Sequence, residues 1–270
     1  MSVQTVDRWS TTPAHAGRHP HTLTPRVRRL RSVPTPRPAG DLSPARRDAA
    51  VGAATTTVLP DPAAVELAPD LQRLRLLGRS GIDTVAAKLT LMRGRQRHQA
   101  AGDPVAHVST RLKSVESILA KARRKDVPLT PDAIRAQILD VAGVRVVCDV
   151  ASDLYRVRDL LLAQGDVVLL SERDYLARPK ASGYRALHLV VEVPVDVRGR
   201  REHVAVEIQL RTVAADAWAR LEHRLAYKGD ADLPAHVTGS LRRAADVSWT
   251  LDSSLELIRA EARTAGLAIG

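Results

Sequence analysis

Side chains that could bind or transform a ligand are concentrated in two short segments of the second half of the chain. The first segment, residues 174–188, contains a loop marked by a proline and a glycine and then runs into an apolar strand. This loop brings together a cation (Lys180), an aromatic ring (Tyr184) and a guanidinium (Arg185).

The second segment, residues 206–212, is a predicted strand with one polar face. Successive side chains of a strand point to opposite sides, so Glu207, Gln209 and Arg211 share one face and the apolar residues between them share the other. A face lined by these three side chains does not pack against a hydrophobic core. It therefore faces either water or a functional site.

Basic side chains recur upstream at spacings that place them on common faces. Arg111 and Lys113 are two residues apart on a predicted strand, and Lys121 and Arg124 are three residues apart on the helix that follows. The chain has only six lysines among its many arginines, so a lysine there has either a specific reason, such as a compact charge on a phosphate, or a place by chance, and spacing alone does not favour one over the other. A polyphosphate site is one interpretation of this cluster, and a solvated basic face is the other.

Two acidic residues lie where ordinary structural roles explain them poorly. Asp140 follows a predicted helix, whose dipole disfavours a negative charge at that end, and Glu207 lies in the middle of the polar strand face. Two carboxylates brought together can hold Mg²⁺ while nucleotide phosphates complete its coordination shell. A turn residue is the simpler explanation of Asp140 taken alone, so Glu207 is the stronger of the two signals.

The composition is that of a basic globular protein. The 270-residue chain is 44% hydrophobic but has no phenylalanine, so its core must be largely aliphatic. The net charge of +11 favours a polyanionic partner such as a nucleotide or nucleic acid. The single Cys148 excludes a disulfide framework, and no apolar run reaches the roughly 18 residues of a membrane span or has the form of a secretory signal. We therefore expect a cytoplasmic protein without a membrane partner.

The first 70 residues differ in composition from the rest. Residues 1–50 carry nine Arg against three Asp, and residues 1–70 hold ten of the sixteen prolines and show no helix or strand period. This composition predicts a disordered basic tail. The tail is either a dispensable extension, which we favour, or an arm for nucleic acid or a membrane surface.

The periodic part of the chain alternates helices with strands. Predicted strands cover residues 107–113, 144–148, 167–170, 187–195 and 204–210, the last two joined by a hairpin turn at 198–200. Predicted helices begin near Ser80, Ser114, Thr130, Ser152 and Thr212, and two more cover residues 234–249 and 251–265. This order predicts an α+β fold in which a mixed β-sheet is flanked by helices. The predicted organisation is a tail (1–70), a main domain (71–233) and C-terminal helices (234–270).

Several segments, in matching order, resemble the synthetase domain of the RelA/SpoT family. They are residues 111–114, 140–145, 174–188 and 206–212, followed by the helix at 218–228. The likeness spans about residues 85–265 and is greatest to the single-domain small alarmone synthetases. It implies a nucleotidyltransferase-like sheet and GTP pyrophosphokinase activity with Mg²⁺ as cofactor.

The resemblance also implies a role for each matched residue. The implied ATP-binding residues are Arg111 and Arg145, on either side of the adenine ring, and Lys113, Lys121 and Arg124 on the phosphates. Asp140 and Glu207 would hold the metal, and Glu207 is also the candidate catalytic base. The implied residues for the GTP or GDP acceptor are Lys180, Tyr184, His188, Gln209 and Arg211, with the Tyr184 ring stacked on guanine. A core role remains the alternative for Tyr184 and His188, and Glu222 and His223 are expected to be scaffold.

The implied reaction moves the β,γ-pyrophosphoryl group of ATP to the 3′-hydroxyl of GTP or GDP, giving the stringent-response alarmones pppGpp or ppGpp. No hydrolase activity is expected, because none of the nine histidines precedes an aspartate as in the hydrolase domain of longer relatives. Two alternatives stay open: a toxin-type relative that modifies the 3′ end of tRNA, and a catalytically dead nucleotide- or RNA-binding module. The sequence does not fix the acceptor among GMP, GDP, GTP and tRNA.

Assembly is a further expectation from the resemblance. It implies a homotetramer built through the C-terminal helices, with (p)ppGpp or RNA as a candidate allosteric partner. Apolar residues recur there at helical spacing, at Leu241, Ala244, Ala245, Val247, Leu251, Leu255 and Ile258. A monomer could bury the same residues, so the pattern alone leaves the oligomeric state open.

Overall fold

A five-stranded β-sheet organises the structure. The computed structural model describes residues 62–97, 102–227 and 233–267. The helices in these ranges are α1 (Pro62–Gln96), α2 (Val115–Arg124), α3 (Pro131–Gln137), α4 (Ala151–Leu162), α5 (Val213–Tyr227) and α6 (Ala235–Thr264). The strands are β1 (His107–Leu112), β2 (Ala142–Cys148), β3 (Val168–Asp174), β4 (Leu187–Val197) and β5 (Arg200–Thr212).

The sheet is mixed. Its strand order is β1-β2-β5-β4-β3, in which β2 and β5 are parallel and the other neighbouring pairs are antiparallel. The predicted α+β class, with helices flanking a mixed sheet, is confirmed. Within the described ranges, no helix is long and apolar enough to cross a membrane.

Side-chain caps fix the start of two helices. Ser114 Oγ accepts a hydrogen bond from Ser117 N at 3.2 Å, and Thr130 Oγ1 accepts one from Ala133 N at 3.3 Å. These bonds satisfy amide groups that the first turn of a helix leaves without an internal partner. The predicted starts of α2 and α3 are therefore confirmed, and β1 leads directly into α2.

The longest pair of strands forms a hairpin with a two-residue turn. Val197 pairs with Arg200, and the two turn residues, Arg198 and Gly199, have φ angles of 52° and 75°. Positive φ at both positions is the geometry of a type I′ turn, whose twist matches that of the flanking strands. The predicted turn is confirmed, but β5 begins at Arg200, four residues earlier than the apolar pattern indicates.

One face of the sheet carries the hydrophobic core. Leu189, Ile208 and Leu210 are at most 1% exposed and belong to a cluster that includes residues of α1 and α4. Helix α1 can approach this face because Gly81 has no side chain: a Cβ there would lie 2.9 Å from Val206 Cγ2. Since strand side chains alternate, burial of this face turns the polar residues of β5 to the opposite side.

Helix α1 is longer than predicted, and the predicted tail is correspondingly shorter. The sequence indicates a tail up to residue 70 and a helix start near Ser80, but α1 begins at Pro62. Leu67 and Leu71 are 7% and 1% exposed and pack in a second cluster with residues of α2 and α3. This tertiary packing stabilises a helix in a segment whose prolines disfavour one. Residues 1–61, the rest of the predicted tail, lie outside the described residues.

The C-terminal segment is one helix rather than the two predicted. Helix α6 continues through residue 250, where Thr250 Oγ1 donates a hydrogen bond to the carbonyl four residues earlier at 3.0 Å. This bond lets a threonine remain within a helix. Near the start of α6, Leu241 and Ala245 are 8% and 3% exposed and belong to a third cluster with Tyr184.

Candidate active site

A cleft of about 1160 Å³ lies on the polar side of the sheet, between β1, α2 and α5. Ten of the twelve predicted site residues line it: Arg111, Lys113, Lys121, Arg124, Asp140, Arg145, Tyr184, Glu207, Gln209 and Arg211. The other two, Lys180 and His188, contact Tyr184. Side chains from distant parts of the sequence thus meet at one cavity.

Strand register explains how the floor of the cleft is assembled. Arg111 of β1 pairs with Gly143 of β2, which pairs with Glu207 of β5. Paired residues point to the same side of a sheet, so the arginine and the carboxylate flank a position without a side chain. A Cβ on Gly143 would come no closer than 3.5 Å to Arg111 O, so the backbone does not need glycine there for packing. Its effect is to leave the cleft floor open between the two side chains.

Asp140 is held at the cleft by two ammonium groups. Its Oδ2 accepts a hydrogen bond from Lys113 Nζ at 2.6 Å and another from Lys121 Nζ. Burial alone would raise the pKa of this carboxyl group, but the two lysines outweigh burial and hold its pKa below the ordinary value. The second oxygen, Oδ1, is buried and has no hydrogen-bond partner among the described residues. Asp140 is therefore ionised at neutral pH and keeps one oxygen available as a ligand.

Glu207 is the second carboxylate of the cleft. Its Oε2 accepts a hydrogen bond from Gln209 Nε2 at 2.9 Å, and its Oε1 lies 3.4 Å from His188 Nδ1. Burial raises the pKa of Glu207, as does the negative charge of Asp140, but its bonds to His188 and Gln209 more than compensate and lower the pKa. The group is therefore an ionised, oriented acceptor at neutral pH.

A closed ring of hydrogen bonds connects Glu207 to the predicted acceptor residues. Tyr184 Oη lies 2.6 Å from His188 Nε2, and Arg211 Nη2 donates to Tyr184 Oη at 3.0 Å. The same nitrogen donates to Gln209 Oε1 at 2.9 Å, which closes the circuit back to Glu207. Because each member fixes its neighbours, these five side chains form one preorganised unit.

The Tyr184 ring is packed rather than free. Gly183, which precedes it, has no side chain to restrict the ring, yet Tyr184 is only 9% exposed. Its ring lies 5.9 Å from Tyr175 and 5.7 Å from His188, both edge to face, and 6.5 Å from Trp218. Lys180 Nζ lies 4.8 Å from the centroids of both tyrosine rings. In this conformation the lysine lies against the ring by a cation–π contact, and stacking of a base on the ring remains a prediction.

The sequence analysis missed Asp216, a residue in the first turn of α5. It is 7% exposed and its carboxylate lies 3.2 Å from Arg211 Nη1 and 3.5 Å from Arg145 Nη1. An available signal was its position shortly after the polar strand ends, in a helix turn where the dipole favours an acid. Glu222 and His223, interpreted as scaffold, also line the cleft.

Comparisons with known proteins show which sequences and structures the chain resembles. Residues 110–232 match the model of a region found in RelA/SpoT proteins. The chain is 37% identical to the GTP pyrophosphokinase YwaC of Bacillus subtilis over 186 residues, 69% of this chain and 89% of that protein. It is also 37% identical to YjbM of the same organism, another GTP pyrophosphokinase, over 69% of this chain and 87% of the relative.

A solved structure shares both fold and sequence with the chain. The crystal structure of small alarmone synthetase 1 from Bacillus subtilis, bound to its product pppGpp, superposes with a TM-score of 0.66 and 37% identity, covering 71% of this chain and 97% of that one. Identity at this level over nearly the whole relative carries more weight than any single motif. With its mixed sheet and basic, two-carboxylate cleft, the chain belongs to the RelA/SpoT family.

Proposed function

We propose that the protein is a GTP pyrophosphokinase that makes (p)ppGpp. The 3′-oxygen of GTP or GDP attacks the β-phosphorus of ATP, the bond from that phosphorus to the α,β-bridging oxygen breaks, and AMP leaves. The acceptor hydroxyl loses its proton to a base. The observation that carries the proposal is the cleft itself, in which two ionised carboxylates face a set of Lys and Arg side chains, together with relatives that bear this activity in their names.

The charge of the cleft suits two polyphosphate substrates. Among the described residues that line it, eight are Lys or Arg and three are Asp or Glu. Lys113 and Lys121 both donate to Asp140 Oδ2, and Arg124 lies on α2 together with Lys121. We assign these cations to the ATP phosphates, and Arg111 and Arg145 to the adenine ring, because a planar guanidinium can stack on a base.

Asp140 and Glu207 are the residues that would hold Mg²⁺. The buried Oδ1 atom of Asp140 without a partner among the described residues fits this role, since a hard cation prefers carboxylate oxygen. Mg²⁺ held by these two carboxylates would supply charge neutralisation at the phosphate oxygens. The two carboxylates lie close enough for the charge of Asp140 to raise the pKa of Glu207.

We further assign the acceptor to the hydrogen-bonded ring and to Lys180. Glu207 accepts the proton of the attacking hydroxyl, and its bonds to His188 and Gln209 keep its carboxylate oriented toward that hydroxyl. Guanine would stack on the Tyr184 ring. Because Lys180 contacts that ring in the structure, the lysine must move aside, which would leave its charge free for the acceptor phosphates.

Release of AMP from ATP tests the proposed function directly. We expect release in the presence of GDP or GTP and Mg²⁺, with ppGpp or pppGpp as the second product, and none without an acceptor. Transfer to tRNA in place of a guanosine nucleotide would identify a toxin-type enzyme. Binding of both nucleotides without any transfer would identify a binding module, and either result would overturn the proposal.

We also propose a homotetramer that forms through α6. Val247, Leu251, Leu255 and Ile258 are 38–68% exposed and recur at helical spacing, so they form an uncovered apolar face. Leu241 and Ala245, in contrast, are buried within the subunit and are not available to a partner. Light scattering that gives a monomer at micromolar concentration would refute the proposed assembly.

A further inference from the structure

The Asp216 carboxylate contacts guanidinium groups from three different elements. Its Oδ1 lies 3.2 Å from Arg211 Nη1 on β5 and 3.5 Å from Arg145 Nη1 on β2, and its Oδ2 lies 3.2 Å from Arg220 Nε on α5. All three arginines line the cleft. The side chains of Asp216 and Arg211 are 10% and 8% exposed, so solvent screens that ion pair little, whereas the Arg220 side chain is exposed.

The two strand arginines belong to different halves of the cleft. Arg211 donates to Tyr184 and Gln209, and is therefore part of the hydrogen-bonded ring that we assign to the acceptor. Arg145 pairs across the sheet with Ser109 of β1, on the side that we assign to ATP. Asp216 thus lies at the boundary between the two proposed nucleotide sites.

Among the described residues, Asp216 is the carboxylate that contacts both arginines. The Nε atoms of Arg145 and Arg211 are buried without a hydrogen-bond partner among the described residues. Burial lowers the pKa of Arg145, the positive charge of Arg211 lowers it further, and Asp216 opposes both effects. Without the carboxylate, the like charges of Arg145 and Arg211 would repel each other without compensation, and the half-buried Arg145 would shift away from the buried Arg211 and weaken its alignment.

We propose that Asp216 is a positioning residue that orients one guanidinium for ATP and one for the acceptor at the same time. The inference rests on the proposed function for the identity of the ligands. A single carboxylate makes both contacts with one oxygen atom, so its loss must disturb both sites together. Loss of either arginine alone should disturb only one.

Direct binding measurements test this inference without requiring turnover. Calorimetry gives the Kd of a non-hydrolysable ATP analogue and, separately, of GDP for wild type and for Asp216→Asn, which keeps the shape but removes the charge. We expect each Kd to rise about tenfold to a hundredfold, the range for loss of a charged hydrogen-bond partner. The control is Asp83→Asn on α1, an exposed carboxylate 3.7 Å from Arg79, which should change neither Kd.

Crossed backgrounds separate positioning from a general loss of structure. In Arg145→Met, adding Asp216→Asn should no longer weaken the ATP analogue but should still weaken GDP. In Arg211→Met, adding Asp216→Asn should no longer weaken GDP binding but should still weaken binding of the ATP analogue. Melting temperatures recorded in parallel should fall by similar amounts in both double variants. If Asp216→Asn is insoluble, Asp216→Glu can replace it, because the longer side chain displaces the charge by one methylene. The Kd values should then change in the same pattern across the two backgrounds, but by smaller factors.

The outcomes distinguish this inference from the proposed function. Wild-type protein that binds neither nucleotide would overturn the proposed function. Wild-type protein that binds both, with Asp216→Asn weakening only one or weakening both equally in every background, would overturn the positioning role and leave the proposed function standing.

Discussion

Replacing Gly183 by alanine tests how closely the β3–β4 loop (residues 175–186) packs on α6. Gly183 has a φ of 91°, and a Cβ built on it would lie 2.6 Å from Ala245 Cβ and 3.2 Å from Arg242 Cδ. Arg242 Nη1 also donates a hydrogen bond to the Ala181 carbonyl. A methyl group at residue 183 would therefore meet both an unfavourable backbone angle and the surface of α6.

The expected loss of stability in Gly183→Ala has two contributions, backbone strain and steric overlap with α6. An alanine at positive φ costs about 1–3 kcal/mol. Forcing a methyl group into a packed contact costs about 1–3 kcal/mol more. Gly199 supplies the control, because its φ is 75° and nothing lies within 4 Å of its Cβ position, so Gly199→Ala should show the first part alone. We expect Gly183→Ala to lower the free energy of unfolding by about 2–6 kcal/mol in total.

Urea denaturation of a double-mutant cycle measures the contact itself. Ala245→Gly should cost about 1 kcal/mol through lost helix propensity. In the double variant, the same substitution also removes the Cβ atom that the methyl group added at residue 183 would meet. The two substitutions should therefore couple favourably by about 1–3 kcal/mol.

A kinetic effect should accompany the loss of stability. The β3–β4 loop carries Lys180 and Tyr184, so Gly183→Ala should raise KM for GDP or GTP and leave KM for ATP nearly unchanged. If Gly183→Ala and Gly199→Ala are equally destabilising and the cycle shows no coupling, the loop does not pack on α6 in solution and the reasoning fails.

Three further predictions concern the metal pair, a buried acid and the start of α1. Asp140→Asn and Glu207→Gln should each fold normally, by melting temperature, yet lose pyrophosphoryl transfer, because the barrier rises by several kcal/mol; near-normal turnover at saturating Mg²⁺ would contradict the mechanism. Burial raises the pKa of Asp252, although a bond from Thr212 opposes it, so folding favours its protonated form and the stability it gives is lost as the pH rises. Asp252→Asn should therefore stabilise the protein increasingly above about pH 4, and an unchanged difference in urea midpoint between about pH 4 and about pH 7 would refute this. Deleting residues 1–71 should destabilise the fold strongly, because it removes the buried Leu67 and Leu71, whereas deleting residues 1–61 should not, as circular dichroism melting will show.

Local sequence patterns were sufficient to predict much of the fold and most of the residues that line the cleft. The strict alternation of β5 predicts that Glu207, Gln209 and Arg211 share a face, since the side-chain period of a strand is two. The caps at Ser114 and Thr130 predict two helix starts because they satisfy specific amide groups. In both cases the physical cause lies within a few residues of its effect.

Features that depend on distant contacts were not predictable in this way. The glycine before Tyr184 leaves the tyrosine ring locally unrestricted. The ring is nevertheless packed against Tyr175 and Trp218, which come from other parts of the chain. The first turns of α1 contain prolines, yet packing of Leu67 and Leu71 on α2 and α3 stabilises a helix there. Local propensity is a weak guide wherever tertiary packing supplies the larger free energy.

The arrangement of the cleft depends most on the parallel pairing of β2 with β5. These strands are separated in sequence by α4, β3 and β4, so no local pattern specifies that Gly143 lies beside Glu207 and Arg145 beside Gln209. A slip of one residue in β5 would turn Glu207 and its polar neighbours toward the core and expose Ile208 and Leu210, each at most 1% exposed, to the cleft. The free energy of burying those apolar side chains therefore also fixes the register that places Glu207 across Gly143 from Arg111. The packing of the core on one face of the sheet thereby determines the geometry of the site on the other.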